Sequence, residues 1–234
     1  VAELIVALDM PDSDSALTMV DRIGPDGTFY KVGFELFTRA GPDIVRELVG
    51  RNKRIFLDLK FHDIPNTVAG AASVVRGLGV ELLTVHAAGG AGMIRAARDA
   101  VEGSVTRVLA VTVLTSLSAR ELSDAWGRDV RDPEEDVGRL ASMAIDAGAH
   151  GVVSAAGEAA MLRRLLGPDA LLVTPGIRMQ DDEHQDQARV SDPAEAVRSG
   201  ADFLVVGRPI TRAADPAAAH RSFMRAMSLL EQEA

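Results

Sequence analysis

Short apolar runs alternate with longer amphipathic stretches along the whole chain. The runs occupy residues 3–8, 29–32, 54–59, 82–86, 107–113, 151–154, 170–174 and 203–206, and most are rich in Val, Ile and Leu. Such near-continuous apolar character is what strands covered on both faces require. Between them, residues 14–23, 42–48, 67–77, 93–101, 134–147, 158–166 and 193–199 read as helices, and a last helix covers about 215–231. Gly50, Gly79, Gly148 and Gly200 stand where several of these stretches end, as helix C-termini favour. Eight strands, each followed by a helix, predict an α/β fold whose parallel sheet closes into a (β/α)8 TIM barrel. An open, doubly wound sheet is the competing fold, but no GxGxxG follows the first run. No Pro/Gly/Ser-rich linker interrupts the pattern, so residues 1–234 are expected to form one domain. Residues 116–135 are longer and more polar than a simple loop, hold Trp126, and predict a short extra helix.

In a barrel of this kind, catalytic groups sit at the C-terminal ends of the strands. Taken in order, those ends carry Asp9, Lys31, Asp58 with Lys60, His86, Thr112 with Thr115, Ser154, Pro175-Gly176 and Gly207-Arg208. Side chains alternate along a strand, so Asp58 and Lys60 share the inward face above Phe56, while Leu57 and Leu59 face the helices. An acid and an amine therefore meet at the barrel mouth, with Lys31, Asp9 and Asp63 expected close by. A structural salt-bridge plug is the competing reading of the pair. Several charges crowded at one rim are a poor plug, because their desolvation makes apolar residues the better filler. Asp9 alone reads as a solvated strand end or helix cap, and Lys31 alone as a surface lysine with a buried stem.

Two further segments point to an anionic ligand. Val205 to Ile210 runs from a strand through Gly207 into a short helix near Pro209, with Arg208 beside it. Backbone N–H groups at a helix start together with a guanidinium make a phosphate site, and the loops after strands 7 and 8 are its usual place. The stretch from Pro175 through Arg178 and Gln187 to Val190 is long and polar, and reads as a lid that closes over ligand. An ordinary exposed loop is the plain alternative for it.

Charge and composition narrow the chemistry. The net charge of −9 argues against a broad nucleic-acid surface, so an anionic ligand needs a local cluster of positive charge. Three of the 25 basic residues are lysines (Lys31, Lys53 and Lys60), leaving 22 arginines. A lysine kept inside an apolar strand against that bias suits proton transfer, which arginine cannot perform. With no cysteine, disulfides, thiolate metal sites and Cys nucleophiles are excluded. His62, His86, His150, His184 and His220 show no metal-ligand spacing, and His86 reads as a supporting or core residue. No apolar run is long enough to span a bilayer and no signal-peptide pattern opens the chain, so a cytoplasmic protein is expected. The chain opens on Val1, consistent with removal of an initiator Met, tag or leader.

The segment Phe-Leu-Asp-Leu-Lys-Phe-His-Asp-Ile-Pro-Asn-Thr at residues 56–67 resembles the signature of the orotidine 5′-phosphate decarboxylase family. Residues 4–9, 31–33, 111–116, 174–178 and 206–208 are similar to that family's pieces in the same order, so the resemblance covers about residues 3–212. It implies a homodimeric barrel, without metal or organic cofactor, that converts orotidine 5′-monophosphate to UMP and CO2 in pyrimidine biosynthesis. Lys60 then matches the catalytic proton donor, and Asp58 the carboxylate facing the departing CO2. Asp63 matches an acid supplied to the partner subunit's site. Asp9 and Lys31 match ribose-side contacts, with Lys31 also flanking Asp58. Thr115 matches the pyrimidine contact, and Arg178, Gln187, Gly207 and Arg208 the phosphate contacts. The implied substrate-binding set also takes in Ile64, Thr67 and Pro175. Gln187 is preferred to its neighbours Gln180 and Gln185 on spacing. Ser154 lacks the Cys-Ser pairing expected of relatives, a departure that touches no implied ligand contact. Barrels that act on sugar phosphates through Mg²⁺ and an enediolate share the Asp58, Lys60, Asp63 spacing. Lys31 in place of an acid, and Phe-His before Asp63, favour the nucleotide. A non-catalytic nucleotide-binding barrel is the remaining reading, and the completeness of the charged array argues against it.

Overall fold

The computed structural model describes residues 2–179 and 191–228. Parallel strands close on themselves in chain order, confirming the (β/α)8 barrel. They are β1 (Glu3–Ala7), β2 (Phe29–Gly33), β3 (Arg54–Phe61), β4 (Leu82–His86), β5 (Arg107–Val111), β6 (Gly151–Val153), β7 (Leu171–Pro175) and β8 (Phe203–Val206). Helix α1 (Ser13–Ile23) follows β1, α2 (Phe34–Ala40) and α3 (Asp43–Gly50) follow β2, α4 (Pro65–Arg76) follows β3, and α5 (Gly90–Ala100) follows β4. After β5 come α6 (Ala119–Trp126) and α7 (Pro133–Asp146), and after β6 comes α8 (Ala159–Leu166). After β7 comes α9 (Pro193–Arg198), and after β8 come α10 (Arg208–Thr211) and α11 (Pro216–Ser228).

Strand periodicity sorts the apolar residues into two layers. Ile5, Ala7, Phe29, Phe56, Leu82, Leu109, Val173, Phe203 and Val205 fill the barrel, with Phe29 and Phe203 packed edge to face. Their sequence neighbours, such as Leu4, Val6, Tyr30, Val32, Ile55 and Leu57, pack outward against the helices. Helix starts follow the capping chemistry of the sequence: the Asp12 side chain accepts from Ser15 N–H, and Ser118 and Glu121 close a capping box on α6. Helix α6 is the extra helix expected in residues 116–135. Helix α2 escapes sequence reading because Gly33 starts it with no side-chain cap, Phe34 is exposed, and Leu36 alone is buried. Gly148 and Gly200 adopt the positive φ expected after helices, whereas beyond Gly50 that conformation falls to Asn52.

The end of the barrel opposite the strand C-termini is closed by an ion network. The Arg54 guanidinium donates to Glu81 at 2.6 and 2.8 Å, pairs with Glu3, and lies 4.3 Å from the Phe29 ring centroid. Arg107 also pairs with Glu81. Hydrogen bonding from Arg54, reinforced by the charge of Arg107, holds the Glu81 carboxyl below its usual range despite burial. A depressed carboxylate stabilises the fold above the unfolded-state value of about 4.3, and that contribution is lost as pH falls through the folded-state value. Glu81→Gln should therefore lower stability by about 1–2 kcal/mol at neutral pH. In urea titrations, the gap to wild type should narrow steadily below about pH 4, the ordinary glutamate value. A gap independent of pH would contradict the assignment.

Candidate active site

At the other end of the barrel, a cavity of about 700 Å³ opens at the strand C-termini. Its floor is apolar, made by Ala7, Phe56, Val111, Val153 and Val205. The strand register explains its charged wall. Ala7 stands beside Lys31, Lys31 beside Phe56, and Gly33 beside Asp58, so two-residue periodicity sends Asp9, Lys31 and Asp58 to one rim. There they alternate in sign with Lys60. Lys31 Nζ donates to Asp9 Oδ1 at 2.8 Å and lies 3.9 Å from Asp58 Oδ2. Lys60 Nζ donates to both carboxylate oxygens of Asp58, each at 2.8 Å. Asp58 and Lys31 are mostly buried, which strengthens their interaction over that of a solvated pair. Gly33 leaves room beside this row, since a Cβ there would lie 2.8 Å from Lys31 Nζ and 3.3 Å from Asp9 Oδ1.

Simple alternation does not by itself deliver Lys60. The pairing of β3 with β4 slips between Leu57↔Leu83 and Phe61↔Val85, so residues 58–60 bulge opposite the single residue Thr84. Lys60 takes φ +47°, a left-handed conformation that costs an ordinary side chain about 1–2 kcal/mol. Thr84, fully buried, accepts the Lys60 N–H at 2.9 Å and donates its hydroxyl to Asp58 Oδ1 at 3.0 Å. Sequence reading missed Thr84. The available signal was a polar residue inside the apolar run of β4, which must find partners when buried.

The cavity wall at β7 and β8 is cationic, with Arg178, Arg208 and Arg212 lining it beside Pro175, Gly176 and Gly207. Arg178 and Arg208 stand where sequence reasoning put them, and Arg212 was missed. Helix α10 is a single turn whose Ile210 and Thr211 N–H groups bond Gly207 O at 2.9 and 3.0 Å. The guanidiniums, more than a helix terminus, therefore supply the positive field. Thr115 lines the cavity, as expected. Val153 also lines it, whereas its neighbour Ser154 is fully buried and does not.

Asp63, Ile64 and Thr67 do not join this cavity in the single chain. Beyond the bulge the backbone leaves the barrel through extended Ile64 and starts α4 at Pro65, and Ile64 is 66% exposed. Asp63 is exposed and accepts from Ile64 N–H at 2.6 Å. Asp63, expected close to the charged row, is thus not among the residues that line this chain's cavity. Gln187 lies outside the described residues. His86 is half-buried with its ring centroid 5.4 Å from that of His62; burial, then the charges of His62 and Lys60, push its pKa below the ordinary histidine value. A neutral His86 fits the supporting role expected of it.

A parallel eight-stranded barrel with an alternating ammonium–carboxylate row and a guanidinium-lined end defines a (β/α)8-barrel enzyme site. The chain belongs to the orotidine 5′-phosphate decarboxylase / HUMPS family, whose model matches residues 2–223. It is 52% identical over 222 residues to an orotidine 5′-phosphate decarboxylase of Nitrosomonas europaea, covering 94% of each chain. Against the Moorella thermoacetica protein of the same name, identity is 47% over 236 residues, covering 98% of this chain and 93% of that one. The crystal structure of orotidine 5′-phosphate decarboxylase from Lactobacillus acidophilus superposes with a TM-score of 0.87 at 39% identity, covering 97% of this chain and 99% of that one.

Gly33→Ala should fold normally, because the clash falls on the mobile end of Lys31. It should nonetheless displace the Lys31–Asp9 pair and lower kcat/KM for orotidine 5′-monophosphate decarboxylation roughly tenfold. Unchanged kcat/KM with an unchanged melting temperature would show that this pair does not depend on the space at Gly33.

Proposed function

We propose that this protein decarboxylates orotidine 5′-monophosphate to UMP and CO2 in pyrimidine biosynthesis. The observation that carries the reading is the Lys60 ammonium bridging both oxygens of Asp58 over an apolar cavity floor. Breaking the C6–carboxylate bond leaves an electron pair on C6 with no adjacent carbonyl to delocalise it. The barrier must then be lowered by stabilising localised negative charge, near the top of the roughly 8–23 kcal/mol range of enzymic effects. A fixed ammonium in a site of low dielectric does this, and then delivers its proton to C6. Asp58 orients Lys60 until transfer, and its own charge opposes that of the substrate carboxylate in the ground state. Solvent returns the proton to the amine after UMP leaves.

The rest of the cavity orders the ligand along the ring of strands. Asp9 just beyond β1 and Lys31 on β2 suit the ribose hydroxyls, Thr115 beyond β5 suits the pyrimidine, and Arg178 and Arg208 with Gly207 suit the phosphate. Arginine matches phosphate geometry with paired donors. Phosphate binding far from C6 offsets the crowding of charge around Lys60. Gln187 is assigned to the phosphate as well, on its sequence match. Asp63, Ile64 and Thr67 are assigned to the site of a second copy in a homodimer, which accounts for an exposed isoleucine beside the catalytic strand. Among the described residues no helix is long and apolar enough to cross a membrane, and a nucleotide substrate with a cysteine-free chain suits the cytoplasm. No cofactor or metal is assigned to the reaction, since Lys60 itself supplies both charge and proton.

Turnover is followed as the fall in ultraviolet absorbance of orotidine 5′-monophosphate. Lys60→Ala should remain folded and lose at least about 10³-fold in kcat. Arg208→Ala should raise KM and also lower kcat, because remote binding energy supports the chemical step. EDTA should leave the rate unchanged; a chelator-sensitive rate would favour the Mg²⁺-dependent sugar-phosphate reaction. Mixing Lys60→Ala with Asp63→Ala subunits should restore part of the activity, and verified mixed dimers without any would refute the shared site. Normal turnover by Lys60→Ala would overturn the mechanism.

A further inference from the structure

The β3 bulge removes regular ladder pairing at the residues that carry the chemistry. Asp58, Leu59 and Lys60 stand opposite one residue of β4, and that residue is Thr84. Its hydroxyl has a single proton and two lone pairs, so it can donate once and accept twice. Lys60 N–H can only donate, and an ionised Asp58 carboxylate can only accept. The two bonds at 2.9 and 3.0 Å therefore fix the polarity of the hydroxyl: it accepts from the Lys60 backbone and donates to Asp58 Oδ1. One atom thereby ties the backbone of the proton donor to the side chain of its partner. It does so where Lys60 adopts the left-handed φ of +47° that its side chain opposes. Thr84 does not line the cavity and is fully buried, so it cannot touch a ligand.

We propose that Thr84 is a positioning residue for decarboxylation, holding Lys60 Nζ and the Asp58 carboxylate in register through its hydroxyl. β-Branching suits the task, because it restricts χ1 and so limits where the hydroxyl points. Leu82 and Thr84 share the inward face of β4, with Phe56 of β3 paired to Leu82 below, so a rigid apolar layer supports the hydroxyl. Without the hydroxyl, Lys60 loses the acceptor for its N–H and relaxes from the left-handed conformation, and Asp58 loses a fixed donor. Both changes move the ammonium relative to C6 and leave the phosphate end untouched.

The proposal rests on the assignment of Lys60 as proton donor, and the test separates the two. Thr84→Val removes the hydroxyl at nearly constant shape, Thr84→Ser retains it, and Lys60→Ala serves as control. UMP lacks the C6 carboxylate, so its affinity reports the pyrimidine, ribose and phosphate contacts without the group that leaves. For Thr84→Val, kcat should fall roughly 10- to 100-fold, with KM and the UMP inhibition constant within about threefold of wild type. Thr84→Ser should stay within about threefold of wild type in all three. If Thr84→Val proves too unstable to assay, Thr84→Ala makes the same comparison. A hydroxyl-free variant with kcat within about twofold of wild type, or equal losses in the Ser and Val variants, would overturn the proposal. So would a loss confined to KM and UMP affinity. An active Lys60→Ala would instead overturn the underlying assignment, whatever Thr84→Val does.

Discussion

The site depends on holding an ammonium against a carboxylate where neither is well solvated. Lys60 and Asp58 meet at two contacts of 2.8 Å, and Lys31 and Asp9 extend the row with charges of alternating sign. Each ion in such a row offsets part of the desolvation of its neighbour, so the array is tolerable as a set and poor in pieces. Geometry sets the direction of the chain of charges. It crosses β1, β2 and β3 in order because adjacent parallel strands present alternate residues at matching heights.

The two ends of the barrel use different cations for different purposes. The closed end relies on Arg54 and Arg107 against Glu3 and Glu81. Guanidinium stays charged at any working pH and forks onto carboxylates, which suits a permanent brace. The open end relies on Lys31 and Lys60, whose amines can release a proton. The third lysine, Lys53, donates to Gly27 O at 2.7 Å and lies over the Tyr30 ring, a structural use. Two of the three lysines thus stand in the charged row at the cavity, and the contacts of the third place it elsewhere.

Strain in β3 follows from the same demand. A regular β3 would place residue 60 in ladder register with β4, whereas the bulge swings it toward the Asp58 carboxylate. The left-handed backbone of Lys60 persists because Thr84 satisfies the N–H that the ladder no longer pairs. Stability given up locally is supplied by the doubly covered barrel strands, whose inner and outer layers exclude water almost completely. The cationic end at β7 and β8 sits next to β1 in the closed ring, which brings Arg178 and Arg208 onto the side of the cavity adjoining Asp9.

The sequence by itself determined the barrel, because hydrophobic periodicity and helix capping are local properties that read directly from residue order. It also determined most of the candidate cavity: Asp9, Lys31, Asp58, Lys60, Thr115, Arg178 and Arg208 all sit at or just beyond strand ends, as their spacing requires. Helix α2 was hidden because neither a capping side chain nor an amphipathic stripe announces it. Tertiary structure alone decided what depends on contacts between distant segments. The register slip that lets Thr84 meet residues 24 and 26 positions earlier is one such case. The turning away of Asp63 from its own chain's cavity is another, since only the path of the backbone beyond the bulge shows where that carboxylate goes. Arg212 is a different case: it stands one turn of α10 beyond Arg208, a local spacing that becomes readable once the short helix is known to run to Thr211.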